Sequence, residues 1–103
     1  MESNEAKVEV EIIEIELFVR EGKPVPKKKH YKIRIDNETK VVKQETITGA
    51  EILALVGKTP QQYHLYQHFH RAQTKVIQPG DTVDLTAPGV ERFTTMKIEN
   101  TEG

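Results

Sequence analysis

Apolar and polar positions alternate with period two along much of the chain, and the alternation breaks at a few sharp points. The first patterned stretch is Lys7 to Val19. Val8, Val10 and Ile12 alternate with Glu, and then Ile13, Ile15, Leu17 and Val19 alternate in the opposite phase. One slipped residue between two period-two runs predicts a strand with a bulge. Ile12, Ile15 and Val19 also share one face of a helix, which is the second reading. The β-branched side chains favour the strand, because they pack well on a pleated surface. Lys23-Pro24-Val25-Pro26-Lys27 closes the segment: proline fixes its own backbone angle, lacks an amide donor and pushes its predecessor toward extended geometry.

Beyond the prolines the pattern resolves into strand, turn, strand, helix and further strands. His30 to Ile35 alternates cleanly, with Tyr31, Ile33 and Ile35 inward and Lys32 and Arg34 in water. Asp36-Asn37 tolerates left-handed geometry and makes the turn, and Thr39 to Glu45 returns as the antiparallel partner. Thr48-Gly49-Ala50-Glu51 reads as a capping box, in which the Thr48 hydroxyl and the Glu51 carboxylate satisfy free amides reciprocally. The helix then carries Ile52, Leu53, Leu55 and Val56, and Gly57 supplies a left-handed stop. Tyr63 to His70 is the next strand, with Leu65 and Phe69 inward. Val76-Ile77, a Pro79-Gly80 turn, Val83 with Leu85, an Ala87-Pro88-Gly89 turn and a last strand from Arg92 to Ile98 complete the chain. A hairpin, one crossing helix and returning strands are the order of a β-grasp: an α+β fold whose Ile52, Leu55 and Val56 stripe packs across a mixed sheet. Lys7 to Val19 is then an N-terminal extension, able to add a strand to this sheet or to a partner, with packing inside the molecule expected.

Size and composition narrow the chemistry. At 103 residues and 11.8 kDa, 36% apolar and 30% charged, the chain fits one soluble domain with a modest core. A large enzyme with a deep cleft is not expected at this length. Without cysteine there is no disulfide, thiolate nucleophile or Cys-ligated metal. Ser3 is the one serine, and no glycine-rich phosphate loop occurs. The chain is therefore expected not to be an enzyme and to hold no cofactor of its own. His64, His68 and His70 share strand parity, but no glutamate completes a zinc-protease motif, so no metal is expected; outward histidines would give their face a pH response. No apolar run approaches a membrane span, and the acidic N-terminus is unlike a signal peptide, so a cytoplasmic protein is expected.

Charge is segregated. Residues 1–22 hold seven Glu against Lys7 and Arg20, whereas residues 23–34 hold Lys23, Lys27, Lys28, Lys29, Lys32 and Arg34 with no acid. The lysine run follows two prolines rather than lining a face interleaved with aromatics, so it reads as a solvated linker and no nucleic-acid partner is expected. The organisation is an arm and linker over residues 1–28, a folded domain over 29–98 and a tail over 99–103. Taking Leu65 as inward places His64, Tyr66 and His68 on the outer sheet surface, where an aromatic ring between imidazoles suits a partner contact.

From Tyr31 to Gly103 the chain resembles the bacterial multiubiquitin-type family of ubiquitin-like proteins. The resemblance rests on Tyr31-Lys32-Ile33-Arg34-Ile35-Asp36, Thr48-Gly49-Ala50-Glu51-Ile52-Leu53, Thr82-Val83-Asp84-Leu85 and, most distinctively, Ala87-Pro88-Gly89-Val90-Glu91-Arg92-Phe93, before Thr101-Glu102-Gly103. It implies a ubiquitin-like modifier, made alongside a ubiquitin-activating-like enzyme, a ubiquitin-conjugating-like enzyme and a JAB-type deconjugating metallopeptidase, in systems linked to anti-phage defence. Gly103 would be the conjugated residue, activated with ATP and Mg²⁺ held by the partner enzyme, passed to a partner cysteine as a thioester and joined to a target lysine. Asn100, Thr101 and Glu102 would thread the tail, which spans about 16–18 Å when extended. Two features depart from the usual pattern: the end is Glu102-Gly103 rather than a Gly-Gly pair, and one domain is present rather than a tandem array. A noncovalent β-grasp adaptor and a sulfur carrier are the competing readings.

Overall fold

The structure, a computed structural model, describes residues 11–71 and 73–99. The expectations for Val8 and Val10, and for Asn100, Thr101, Glu102 and Gly103, lie outside the described residues. The elements are β1 (Ile12–Glu14), α1 (Ile15–Arg20), β2 (His30–Ile35), β3 (Glu38–Val42), β4 (Thr46–Thr48), α2 (Gly49–Leu55), β5 (Tyr63–Phe69), β6 (Thr74–Ile77), β7 (Thr82–Asp84) and β8 (Val90–Lys97). They form the ubiquitin-like α+β fold expected from the sequence: a mixed sheet with a helix across it.

Strand β2 is the organising strand. Its Tyr31, Ile33 and Ile35 are buried as alternation requires, and β3 pairs antiparallel along its length from Tyr31↔Val42 to Ile35↔Glu38. The tight turn between them works because Asp36 accepts a positive φ of 55°. Since β3 takes one edge of β2, the other edge is shared. There β1 runs parallel over Ile12↔His30 to Glu14↔Lys32, and β8 meets it, also parallel, at Ile35↔Phe93. Beyond β8 the sheet continues through antiparallel β5 and then β6. The last strand therefore lies inside the sheet, with β2 and β5 beside it.

The helix α2 begins at the expected capping box: Glu51 N–H donates to Thr48 Oγ1 at 3.2 Å and Thr48 N–H donates to Glu51 Oε1 at 2.9 Å. Gly57 follows with a φ of 73°. Its buried face is Ile52 and Leu53, with Leu55 and Val56 only partly buried. Leu55, the last residue of the helix, and Val56, its C-cap, pack against the core as expected but at its margin, while Leu53 is buried with Ile52. Gly49 is required at its start: a Cβ there would collide with the Gln78 carbonyl. A separate two-stranded ribbon of β4 and β7, Thr46↔Asp84 to Thr48↔Thr82, supplements the single sheet expected.

The N-terminal stretch is not one bulged strand. Ile12–Glu14 is strand and Ile15–Arg20 is helix, so both readings of the sequence hold for different residues. Burial explains the switch: Ile13, Ile15 and Val19 enter the main core, whereas Leu17, which a strand would bury with them, is 51% exposed. Ile15 and Val19 are four apart and share a helical face. Helix α1 packs on β8 and β2, where those two strands diverge. Arg34, expected in water, is accordingly half-buried and pairs with Glu16 of α1 at 3.1 Å.

Truncating the buried Ile15 to Ala is expected to cost about 2–4 kcal/mol, whereas Ile12→Ala, at an exposed position, should stay within about 0.5 kcal/mol. Urea denaturation of the two variants checks this, and a mild Ile15→Ala would mean that the helix is not part of the core.

Candidate functional site

Two surfaces merit functional attention, and β5 and β8 build both. Leu65 and Gln67 of β5 are buried, so the alternate residues His64, Tyr66 and His68 face outward together, as expected. Direct cross-strand partners share a face, which adds residues that alternation within one strand does not point to. His64 lies opposite Met96, Tyr66 opposite Thr94 and Val76, and His68 opposite Arg92 and Thr74. Met96 is 59% exposed and Val76 46%. The His64 and Tyr66 rings meet edge to face at 6.4 Å. The result is a flat patch with Met96, Tyr66 and Val76 as its apolar contribution.

His68 is held rather than free. Its Nε2 lies 2.7 Å from Thr94 Oγ1 and its Nδ1 3.2 Å from Thr74 Oγ1. Desolvation, with Arg92 and Arg34 nearby, moves its pKa down from 6.5. The contribution of His68 to the expected pH response of this face is therefore moved to lower pH. His70 does not join the other two: the register shifts between His68 and Phe69, and His70 Nδ1 turns to Glu91 Oε1 at 2.9 Å. Among the described residues no group of three His, Asp or Glu is placed to hold a metal ion.

Glu91 is the residue that the apolar–polar pattern does not reveal. It is 8% exposed, accepting from Arg20 Nε at 3.0 Å and facing His70. Arg20 also reaches Glu16 at 2.8 Å, and Glu16 reaches Arg34 at 3.1 Å. A chain of charges thus links the end of β5, β8, α1 and β2. Burial alone would raise the Glu91 pKa, but the bonds from His70 and Arg20 outweigh it and hold the carboxyl below its ordinary value of 4.5. The one signal in the sequence is that Arg20 and Arg34 sit in segments rich in Ile and Val, while Glu91 follows Val90 directly after the Pro88-Gly89 turn.

The exit from the domain is anchored as well. Asp36 accepts from Thr95 N at 2.8 Å, Thr95 Oγ1 at 2.6 Å and Lys58 Nζ at 3.1 Å. Burial opposes ionisation there, yet the Thr95 bonds and Lys58 leave the Asp36 carboxyl below its usual range. Just past β8, Ile98 N–H donates to the Gln62 carbonyl at 2.8 Å. The chain therefore leaves the sheet from a fixed point.

The multiubiquitin family model matches residues 31–98, from β2 through the residue after β8. The chain belongs to the multiubiquitin family. The match covers the hairpin, α2, the ribbon and the patch on β5 and β8, and it begins after β1 and α1. Neither a curated protein nor a solved structure matches the chain. No described helix is long and apolar enough to cross a membrane. The multiubiquitin domain therefore carries Glu91 and His70, while Arg20, which completes their ion pairing, comes from the added helix.

The folded pKa of Glu91 lies below its unfolded value, so its contribution to stability is present above about pH 4.5 and is lost as pH falls through the folded value. Glu91→Gln should cost about 1–3 kcal/mol at pH 7 and should lose less on going to pH 3 than the parent chain. Urea midpoints at the two pH values check the sign; an unchanged pH dependence would show that Glu91 is not the linked group.

Proposed function

We propose that this multiubiquitin-family chain is a covalent protein modifier that acts through the carboxylate of Gly103. The observation that carries this reading is the family match over the whole β-grasp domain. The position of β8 supports it: an interior strand, clamped at Thr95 and Ile98, would hold a tail steadily at one end of the domain. The chemistry is supplied by partners. The Gly103 carboxylate attacks the α-phosphate of ATP, with Mg²⁺ on the activating-like enzyme, and pyrophosphate leaves. A partner thiolate displaces AMP to give a thioester. After transfer to the conjugating-like enzyme, a target lysine amine displaces the thiolate and forms the isopeptide bond. A JAB-type metallopeptidase would hydrolyse that bond. Glycine suits the acyl position because it has no Cβ to obstruct the approach to phosphate and sulfur, and Glu102 calls for a basic partner residue along the tail channel.

The patch of His64, Tyr66 and His68, extended by Met96 and Val76, is the face by which partner enzymes would recognise the folded domain. Its rigid His68 and exposed apolar atoms fit a contact that loses water on docking. It equally supports a second reading, a noncovalent adaptor whose tail is inert. A sulfur carrier shares the adenylation step but ends in a thiocarboxylate. The setting implied by the family resemblance is bacterial anti-phage defence.

Incubation with the cognate activating-like enzyme, ATP and Mg²⁺ should give a thiol-sensitive adduct that deletion of Gly103 abolishes. An adduct that survives the deletion rules out the modifier reading, and a sulfur-for-oxygen mass gain on the free chain would assign it to sulfur transfer. Tyr66→Ala should slow thioester transfer about tenfold, as loss of a central aromatic contact does, with little change in melting temperature.

A further inference from the structure

A groove of about 430 Å³ runs between the added N-terminal element and the multiubiquitin domain. Val19, Lys23 and Val25 form one wall, continuing from α1, and His70, Pro88 and Gly89 form the other. The second wall is the turn of the most distinctive sequence motif in the chain. It is held in shape by Gly89, with a φ of 82°, and by the bond from His70 N–H to the Gly89 carbonyl at 2.9 Å. The first wall is held by burial of Val19 and by the Arg20–Glu91 pair. Neither element makes this groove alone. The volume is in the range of sites that take a few side chains of a ligand.

Its polar lining is Lys23, His70 and Thr86. Among the described residues no carboxylate lines the groove. Glu91 lies behind His70, already engaged by Arg20 and by His70 Nδ1. Because Nδ1 is taken, the imidazole offers Nε2, which has no hydrogen-bond partner among the described residues. Lys23 stands at the rim, its ammonium 5.8 Å from the Phe18 ring centroid. It makes an exposed pair with Glu21 at 3.1 Å, the kind of surface pair an incoming carboxylate can displace. Aliphatic walls with a cationic rim complement a segment that carries an aliphatic side chain beside acidic ones.

We propose that this groove is a noncovalent docking site for an acidic, aliphatic-anchored peptide segment of a partner protein. The aliphatic side chain sits between Val19, Val25 and Pro88, and its neighbouring carboxylate is received by Lys23 and His70. The site does not depend on conjugation and is separate from the patch around Tyr66. Val19, Gly22, Lys23, Pro24 and Val25 of the groove lie outside the region that the family model matches.

The test is a titration of the ¹⁵N-labelled full chain with acetyl-Glu-Leu-Leu-Glu-amide, alongside the same peptide with Gln or Lys in place of Glu. The acidic peptide should shift amides around Val19, Val25, His70 and Gly89, and the Gln and Lys peptides should bind at least about tenfold more weakly. Lys23→Glu, at an exposed position, should abolish the preference for the acidic peptide, while Lys97→Glu, an equal charge change at the other end of β8, should leave it intact. The proposal is overturned if no groove amide moves, if the three peptides bind alike, if the shifts centre on Lys27–Lys29, or if the two lysine variants weaken binding equally.

Discussion

Strands β2 and β8 are neighbours that pair at a single position, Ile35 with Phe93, and the rest of the molecule is arranged around the gap that opens below it. A gap at the centre of a small sheet exposes both backbone donors and core side chains, and a domain of this size has little other apolar burial to offset that. Here β1 takes up the free edge of β2 and α1 lies against both strands, bringing Ile13, Ile15 and Val19 into the core. Glu91 is then covered, and its charge is tolerable only because Arg20 and His70 arrive with the covering helix and the end of β5. Glu91 is the buried member of the three; Arg20 is exposed and also pairs with Glu16.

This arrangement gives the two ends of β8 different roles. At its start, the ion network and the Pro88-Gly89 turn shape the groove shared with the N-terminal element. At its finish, Asp36, Lys58, Thr95 and the Ile98 amide fix where the chain leaves the sheet. Between them, Thr94 fastens His68 and flanks Tyr66 on the open face. The order of these surfaces comes from hydrogen-bonded side chains on adjacent strands rather than from a large core.

Much of this was legible in the residues. The alternation of Tyr31, Ile33 and Ile35, the left-handed Asp36, the Thr48–Glu51 box and the Gly57 stop are local matters, set by sterics and by hydrogen bonds that span only a few residues. The outward parity of His64, Tyr66 and His68 comes from the two-residue repeat of a strand once Leu65 is placed inside. The strand-to-helix change at Ile15 was ambiguous for the same reason. Ile13 to Val19 satisfies both periods, and nothing local chooses between them.

By itself, then, the sequence determined the β2–β3 hairpin, the capped start and glycine stop of α2 and the outward parity of His64, Tyr66 and His68, because each depends on spacing within one segment. Tertiary structure alone decided that α1 is helical, that Glu91 is buried with Arg20 and that His70 parts from His68. Those outcomes depend on which distant strand lies alongside, and a charge can be buried only where residues 71 positions apart, as Arg20 and Glu91 are, meet in space.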